Sequence, residues 1–270
     1  MRAKFFAVPY VVWMAIFVVV PIILIVVYAF TSSSGLFTLS NFSNMGGYTS
    51  VFLRSFLLAL ISTVVCLILG YPIAYLLAKE GPRLQQVLLM LIMLPMWMNF
   101  LLRTYAWMSI LENTGLLNRF LGLFGIPPLH IINTQTAVVI GMVYNYLPFM
   151  ILPIYSVIVK INYNLIEAAQ DLGANSAMVF KKVIVPLSLP GVLSGITMVF
   201  VPSVSTFIIS QLLGGGTSMM LGDLIETQFL GSAYNPHLGS AIALVMMVIV
   251  MIFMYLMNKF GEGEEQAVIL

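Results

Sequence analysis

Charged residues divide this chain into long apolar stretches. Phe5–Phe30 carries no charge, and Ser55–Ala78 lies between Arg54 and Lys79. Leu84–Leu102 follows Arg83 and continues past Arg103 toward Leu111. Further stretches fall within Ile131–Val159, from near Pro190 to Gly214-Gly215-Gly216, and over Leu238–Asn258. A membrane-spanning helix needs roughly 20 mostly apolar residues, so the pattern predicts an all-α membrane protein of six spans in a single domain over residues 1–270. Arg2 and Lys4 ahead of the first stretch mimic a secretory signal. The stretch exceeds the roughly 7–15 residues of a signal core, and Ala29-Phe30-Thr31 is a poor cleavage site, so a retained helix is expected.

Basic residues orient the spans, because positively charged loops stay cytoplasmic. With the N-terminus inside, Arg2, Lys4, Lys79, Arg83, Lys160, Lys181, Lys182 and Lys259 fall inside, against Arg54, Arg103 and Arg119 outside. Six spans then leave both termini inside and make 160–190 the largest cytoplasmic loop. Composition agrees: 61% of residues are apolar and 7% charged, whereas a soluble domain carries about 25% charged residues. A net charge of +2, with scattered basic residues, argues against a nucleic-acid partner. Lone Cys66 and the separated His130 and His237 give no metal-ligand spacing.

Within the 160–190 loop, Asn164-Leu165-Ile166-Glu167 has the form of a capping box. Ala168 and Ala169 favour a helix, and Gly173 suits a left-handed C-terminal turn. This predicts a helix of about three turns, with Pro186 and Pro190 breaking the chain before the next span. Glu167-Ala168-Ala169, Gly173 and Val183-Ile184-Val185-Pro186 resemble the Glu-Ala-Ala loop of bacterial type I ABC-importer permeases. Val183 and Val185 stand where that family usually has Ile and Leu, with the spacing intact.

The resemblance implies that this helix docks into a cleft of a separate ATP-binding subunit. It assigns ATPase coupling to Asn164, Glu167, Ala168, Ala169, Asp171, Gly173 and Pro186. It also implies a second permease subunit, two ATPases that hold the ATP and magnesium, an extracytoplasmic binding protein, and the bacterial inner membrane as location. No cofactor is expected on this chain, since Gly-x-x-x-x-Gly-Lys-[Ser/Thr] is missing from the sequence.

Further segments are similar to spermidine/putrescine importer permeases, in particular the first permease subunit. They are Leu69–Tyr75, Leu102–Trp107, Gly141–Phe149, Pro186–Gly191 and Leu213–Gly215. A polyamine is a flexible polycation whose path should offer carboxylates, carbonyls or aromatic faces. Candidate path or gate residues are Trp97, Arg103, Tyr105, Trp107, Tyr144, Asn145, Tyr146, Phe207 and Gln211. Arg103 is expected to pair with Glu112 or to snorkel. Glu112, Asp223 and Glu226 are candidate outer acidic sites. In the permeases it resembles, an acid often precedes Leu-Leu-Gly-Gly, where this chain has Gln211.

Pro95, Pro148, Pro153 and Pro202 fall inside expected spans and predict kinks, while Gly191 and Gly195 form a small-residue face for close helix contact. Permeases for other small organic solutes share the motifs. An ion-coupled secondary transporter would call for midplane acids and inverted repeats. A membrane-embedded enzyme would need a nucleophile and base, and the motifs of neither reading stand out.

Overall fold

The computed structural model describes residues 9–231 and 233–268, with side chains to residue 260. The expected start of the first span, Phe5 to Val8, lies outside the described residues, as do Arg2 and Lys4. The first helix, α1, occupies Pro9–Ala29 and contains a π turn at Ala15–Val19. A short helix α2, Ser40–Asn44, leads into the long α3, Thr49–Lys79. Next come α4 (Pro82–Met93), α5 (Phe100–Leu111) and α6 (Leu116–Gly122). The remaining helices are α7 (Gln135–Ile158), α8 (Tyr163–Asp171) and α9 (Ser176–Ser205), then α10 (Ile208–Gly214), α11 (Leu221–Leu230) and α12 (Pro236–Val268).

Five helical segments are long and apolar enough to cross a membrane, and α4 with α5–α6 makes a sixth if counted as one bent span. At the centre, α7 packs along both α3 and α9, which also touch each other. Small residues allow this closeness. A Cβ on Gly70 would meet the Met150 side chain at 3.0 Å, and one on Gly191 would meet the Pro153 carbonyl oxygen at 2.8 Å. Met142, Met150, Ile154 and Val199 are fully enclosed there. The expected Gly191/Gly195 contact face is therefore present on α9 and packs against α7. Outside this core, α12 packs against α9, and α1 packs on α12. α1 otherwise shows apolar side chains to its surroundings, as a lipid-facing helix does.

Three local expectations are corrected. The third span is not one continuous helix: its halves meet at 91°. Pro95 sits in a 3-10 turn, Leu94–Trp97, and Met98 and Asn99 are extended, with ψ of 150° and 130°. Asn99 then caps α5, its side chain accepting from the N–H groups of Leu101 at 2.9 Å and Leu102 at 3.3 Å. An apolar run without charge looks uniform in hydropathy, but a proline followed by a capping asparagine stops one helix and starts another.

The fifth span likewise does not begin near Pro190. α9 begins at Ser176, where Asn175 caps it by accepting from Met178 N–H at 2.9 Å. Pro186 and Pro190 lie within it and do not break it. A π turn at Phe180–Ile184 sits just ahead of Pro186, where the missing N–H interrupts the α ladder. The span instead breaks later, at Thr206-Phe207, four residues beyond Pro202.

Third, the capping box at Asn164 and Glu167 does not form. Asn162 is the cap, its side chain accepting from Asn164 N–H at 3.0 Å. The C-terminal turn follows expectation: Gly173 has φ of 84°, with Gly173 N–H bonded to Gln170 O at 2.8 Å and Ala174 N–H to Ala169 O at 3.0 Å. These paired bonds are a Schellman turn, which glycine permits without strain.

Candidate functional site

Two regions gather the chemically distinctive side chains, at α8 and around the break between α9 and α10. α8 lies between the ends of α7 and α9, anchored by its Ile166–Ala169 side. The opposite side is free. Helical spacing sets Asn164, Glu167 and Asp171 along one edge, Ala168 beside them, and Leu165 with Leu172 along the other. All six are exposed, Leu172 to 89%. The start of α9 is tied to α3: Phe180 packs edge-on against Tyr71 and Tyr75, and the Tyr71 hydroxyl meets Ser188 Oγ at 2.8 Å. Pro186, an expected coupling residue, sits in the first turn after the π turn of α9 rather than in the exposed loop. A cavity of about 510 Å³, lined by residues including Tyr75, Lys79, Tyr163 and Ile166, lies behind α8.

The expected path residues do not all converge. Trp97 is exposed beside the Met98-Asn99 break, and Tyr105 and Phe207 are also exposed. Trp107 packs edge-on against Tyr144 with ring centroids 5.1 Å apart, joining α5 to α7. Asn145 is buried, and its amide donates to the Gly141 carbonyl at 2.8 Å.

Arg103 is 8% exposed, lies 5.8 Å from the Phe100 ring centre, and has a buried Nε without a hydrogen-bond partner. The expected Arg103–Glu112 pair is not formed among the described residues. Glu112 instead lines a separate shallow depression of about 280 Å³ with Ser109, Thr114 and Arg119. Arg103 does neighbour Tyr146, whose hydroxyl points toward the Pro202 carbonyl at 3.5 Å.

The other two acids come together with Gln211. Its Nε2 donates to Glu226 Oε2 at 3.0 Å, linking α10 to α11. One turn earlier on α11, Asp223 is 4% exposed and accepts from Met220 N–H at 2.7 Å. Burial pushes its carboxyl up to about 6, while the Met220 N–H and the nearby Ser210 and Gln211 side chains pull the other way and Glu226 adds to the rise. Ser55 of α3 holds the same helix end, its Oγ accepting from Leu221 N–H at 2.8 Å.

Sequence reasoning missed Ser55, Ser210 and Gly222 here. Only Gly222, directly ahead of an acid at a helix start, left a trace in the chain.

Residues 67–260 match the family described as binding-protein-dependent transport system inner membrane component. The chain belongs to that family. It is therefore a multi-pass inner-membrane transport component, and its homologues are permease subunits rather than enzymes. The spermidine/putrescine transport system permease protein PotB of Haemophilus influenzae is 38% identical over 93% of this chain and 94% of its own length. PotB of Escherichia coli is 37% identical over 93% of this chain and 98% of its own length. The inner membrane ABC transporter permease protein YdcU of Escherichia coli is 27% identical over 79% of this chain and 72% of its own length.

Among solved structures, a bacterial ABC transporter that imports alginate superposes with a TM-score of 0.78 at 17% identity, over 97% of this chain and 95% of that one. The MetNI methionine ABC transporter gives 0.59 at 16% identity, over 80% of this chain and 95% of that one. The fold of this transport component is thus that of ABC-importer permeases.

Proposed function

We propose that this chain is a polyamine-translocating permease subunit of an ATP-driven type I importer, working by alternating access. The 37–38% identity to PotB proteins over 93% of the chain carries the cargo class. The exposed edge of α8 supports the coupling role. Ala168 leaves a thin ridge between the Asn164–Glu167–Asp171 edge and the Leu165–Leu172 edge, a shape suited to a groove with an apolar floor and a basic rim.

On this reading residues 1–270 form one permease domain with its coupling loop at 160–190, and both termini face the cytoplasm. The partners are a second permease subunit, two ATPases that hold ATP and magnesium, and an extracytoplasmic binding protein. The broken spans at Met98-Asn99 and Thr206-Phe207 give the helical bundle discrete places to bend.

Reconstituting this chain with its partners in vesicles tests the proposal. ATP-dependent uptake of labelled spermidine and putrescine, not displaced by neutral solutes, is the expected result. Uptake driven by an ion gradient without ATP would overturn the importer class. Uptake of a neutral solute alone would overturn the cargo.

A further inference from the structure

The break that ends α9 faces a buried acid with one oxygen left without a hydrogen bond. α9 stops at Ser205, Thr206 is extended with ψ of 143°, and α10 starts at Ile208. Gly222 of α11 lies against this break: a Cβ there would sit 2.5 Å from the carbonyl oxygens of both Ser205 and Thr206. That approach brings the C-terminal end of α9, with its partial negative charge, beside the next residue, Asp223. One Asp223 oxygen holds the Met220 N–H, and the other, Oδ1, is enclosed with no hydrogen bond. Ser210 and Gln211 of α10 neighbour the same carboxyl. Half-buried Glu226 lies at the edge of this group, bonded to the exposed Gln211 amide.

An enclosed carboxylate oxygen without a partner is costly, and a cation with donor protons is what removes that cost. Neither acid takes a hydrogen bond from a lysine or arginine among the described residues. The two carboxyls, the Gln211 carbonyl oxygen and the carbonyls at the break are all acceptors suited to an ammonium with three donors. The amide at Gln211 also makes sense here. It orients Glu226 by donating to it, so the negative charge resides on α11 instead of on α10.

We propose that Glu226 and Asp223, bridged by Gln211 at the α9–α10 break, form a subsite for one ammonium group of the cargo. Glu226 receives the ammonium at the exposed edge, and the free Asp223 oxygen takes it when α10 and α11 part. Burial that raises the Asp223 carboxyl to about 6 fits an acid waiting for its counter-ion. The inference rests on the polyamine reading above and adds the residues that hold the charge.

The test measures labelled spermidine uptake and ATP hydrolysis together in vesicles holding the full complex and saturating binding protein. E226Q keeps an oxygen for the Gln211 amide, and D223N keeps one for the Met220 N–H, while each removes a charge. Spermidine moved per ATP is expected to fall about tenfold or more in each, the size of one lost charge-assisted hydrogen bond. Wild-type vesicles that move no polyamine would overturn the underlying cargo assignment. Wild-type uptake with both variants within about twofold of it, well short of that loss, would overturn the subsite alone. If D223N fails to assemble, E226Q decides on the same two outcomes.

Discussion

Gly191 of α9 lies so close to Pro153 of α7 that a methyl group on it would sit 2.8 Å from the Pro153 carbonyl oxygen and 3.1 Å from Ile154 Cα. Both obstacles are backbone and cannot rotate away. The same two helices meet at Gly195, where the first atom encountered is the flexible Met150 Sδ at 2.7 Å. The two glycines therefore tolerate a side chain unequally.

Gly191→Ala should destabilise the protein by about 1–3 kcal/mol, because α7 and α9 must separate to admit the methyl group. Gly195→Ala should cost less, since Met150 can change rotamer. Gly46→Ala, with nothing within 4 Å of the new atom, should leave the melting temperature unchanged or slightly raised. Tryptophan-fluorescence melting in detergent orders the three. A Gly191→Ala protein as stable as Gly46→Ala would refute the close packing of α7 on α9.

Glu167 is exposed on α8 and holds none of the bundle together. Glu167→Arg should therefore leave the chain's own melting temperature nearly unchanged while abolishing coupled uptake. Against the basic rim proposed for the ATPase groove, the new charge should weaken ATPase binding by about tenfold or more, because like-charge juxtaposition costs several kcal/mol. Co-purification of the ATPase with the variant and wild type measures this directly. Equal recovery and equal uptake would remove α8 as the docking element.

Asn99 supplies the oxygen that starts α5 beyond the 91° bend. Asn99→Ala leaves two N–H groups at that helix start without their side-chain partner, at a cost of about 1 kcal/mol. Asn99→Asp preserves the acceptor and should retain most of the stability. Because the break sits beside Trp97, the alanine variant should also shift the tryptophan emission. A melting temperature unchanged in Asn99→Ala would mean that the cap does not hold the bend.

Much of the span architecture was legible because lipid forces long uncharged runs, which charge positions alone delimit. The helix breaks were not. Leu84–Leu102 and the run after Pro190 read as uniform, since hydropathy carries no sign of Asn99 accepting backbone bonds or of a π turn preceding Pro186. At α8 the helix was expected, but its cap was assigned to Asn164. Asn162 and Asn164 offer the same chemistry two residues apart, and only the folded chain shows which asparagine leaves the helix. The Gln211–Glu226 bond was beyond reach for another reason. It joins two short helices across the Gly214–Gly216 turn, and nothing local to either residue records the pairing.

Asp223 makes the protein's stability depend on pH in a defined direction. Burial raises its carboxyl from 3.8 to about 6, so between those values the folded chain holds a proton that the unfolded chain releases. Stability from this group is therefore fully present below about 3.8, is lost as pH rises through about 6, and remains lost above it. Asp223→Asn removes the charge but keeps an oxygen for the Met220 N–H at the start of α11. The variant should melt higher than wild type at pH 8, and the difference should shrink steadily as pH is lowered through 6 toward 5. Paired melting curves across that range check the sign. A difference that stays constant with pH, or grows on acidification, would show that Asp223 does not carry the buried, raised carboxyl that the structure assigns to it.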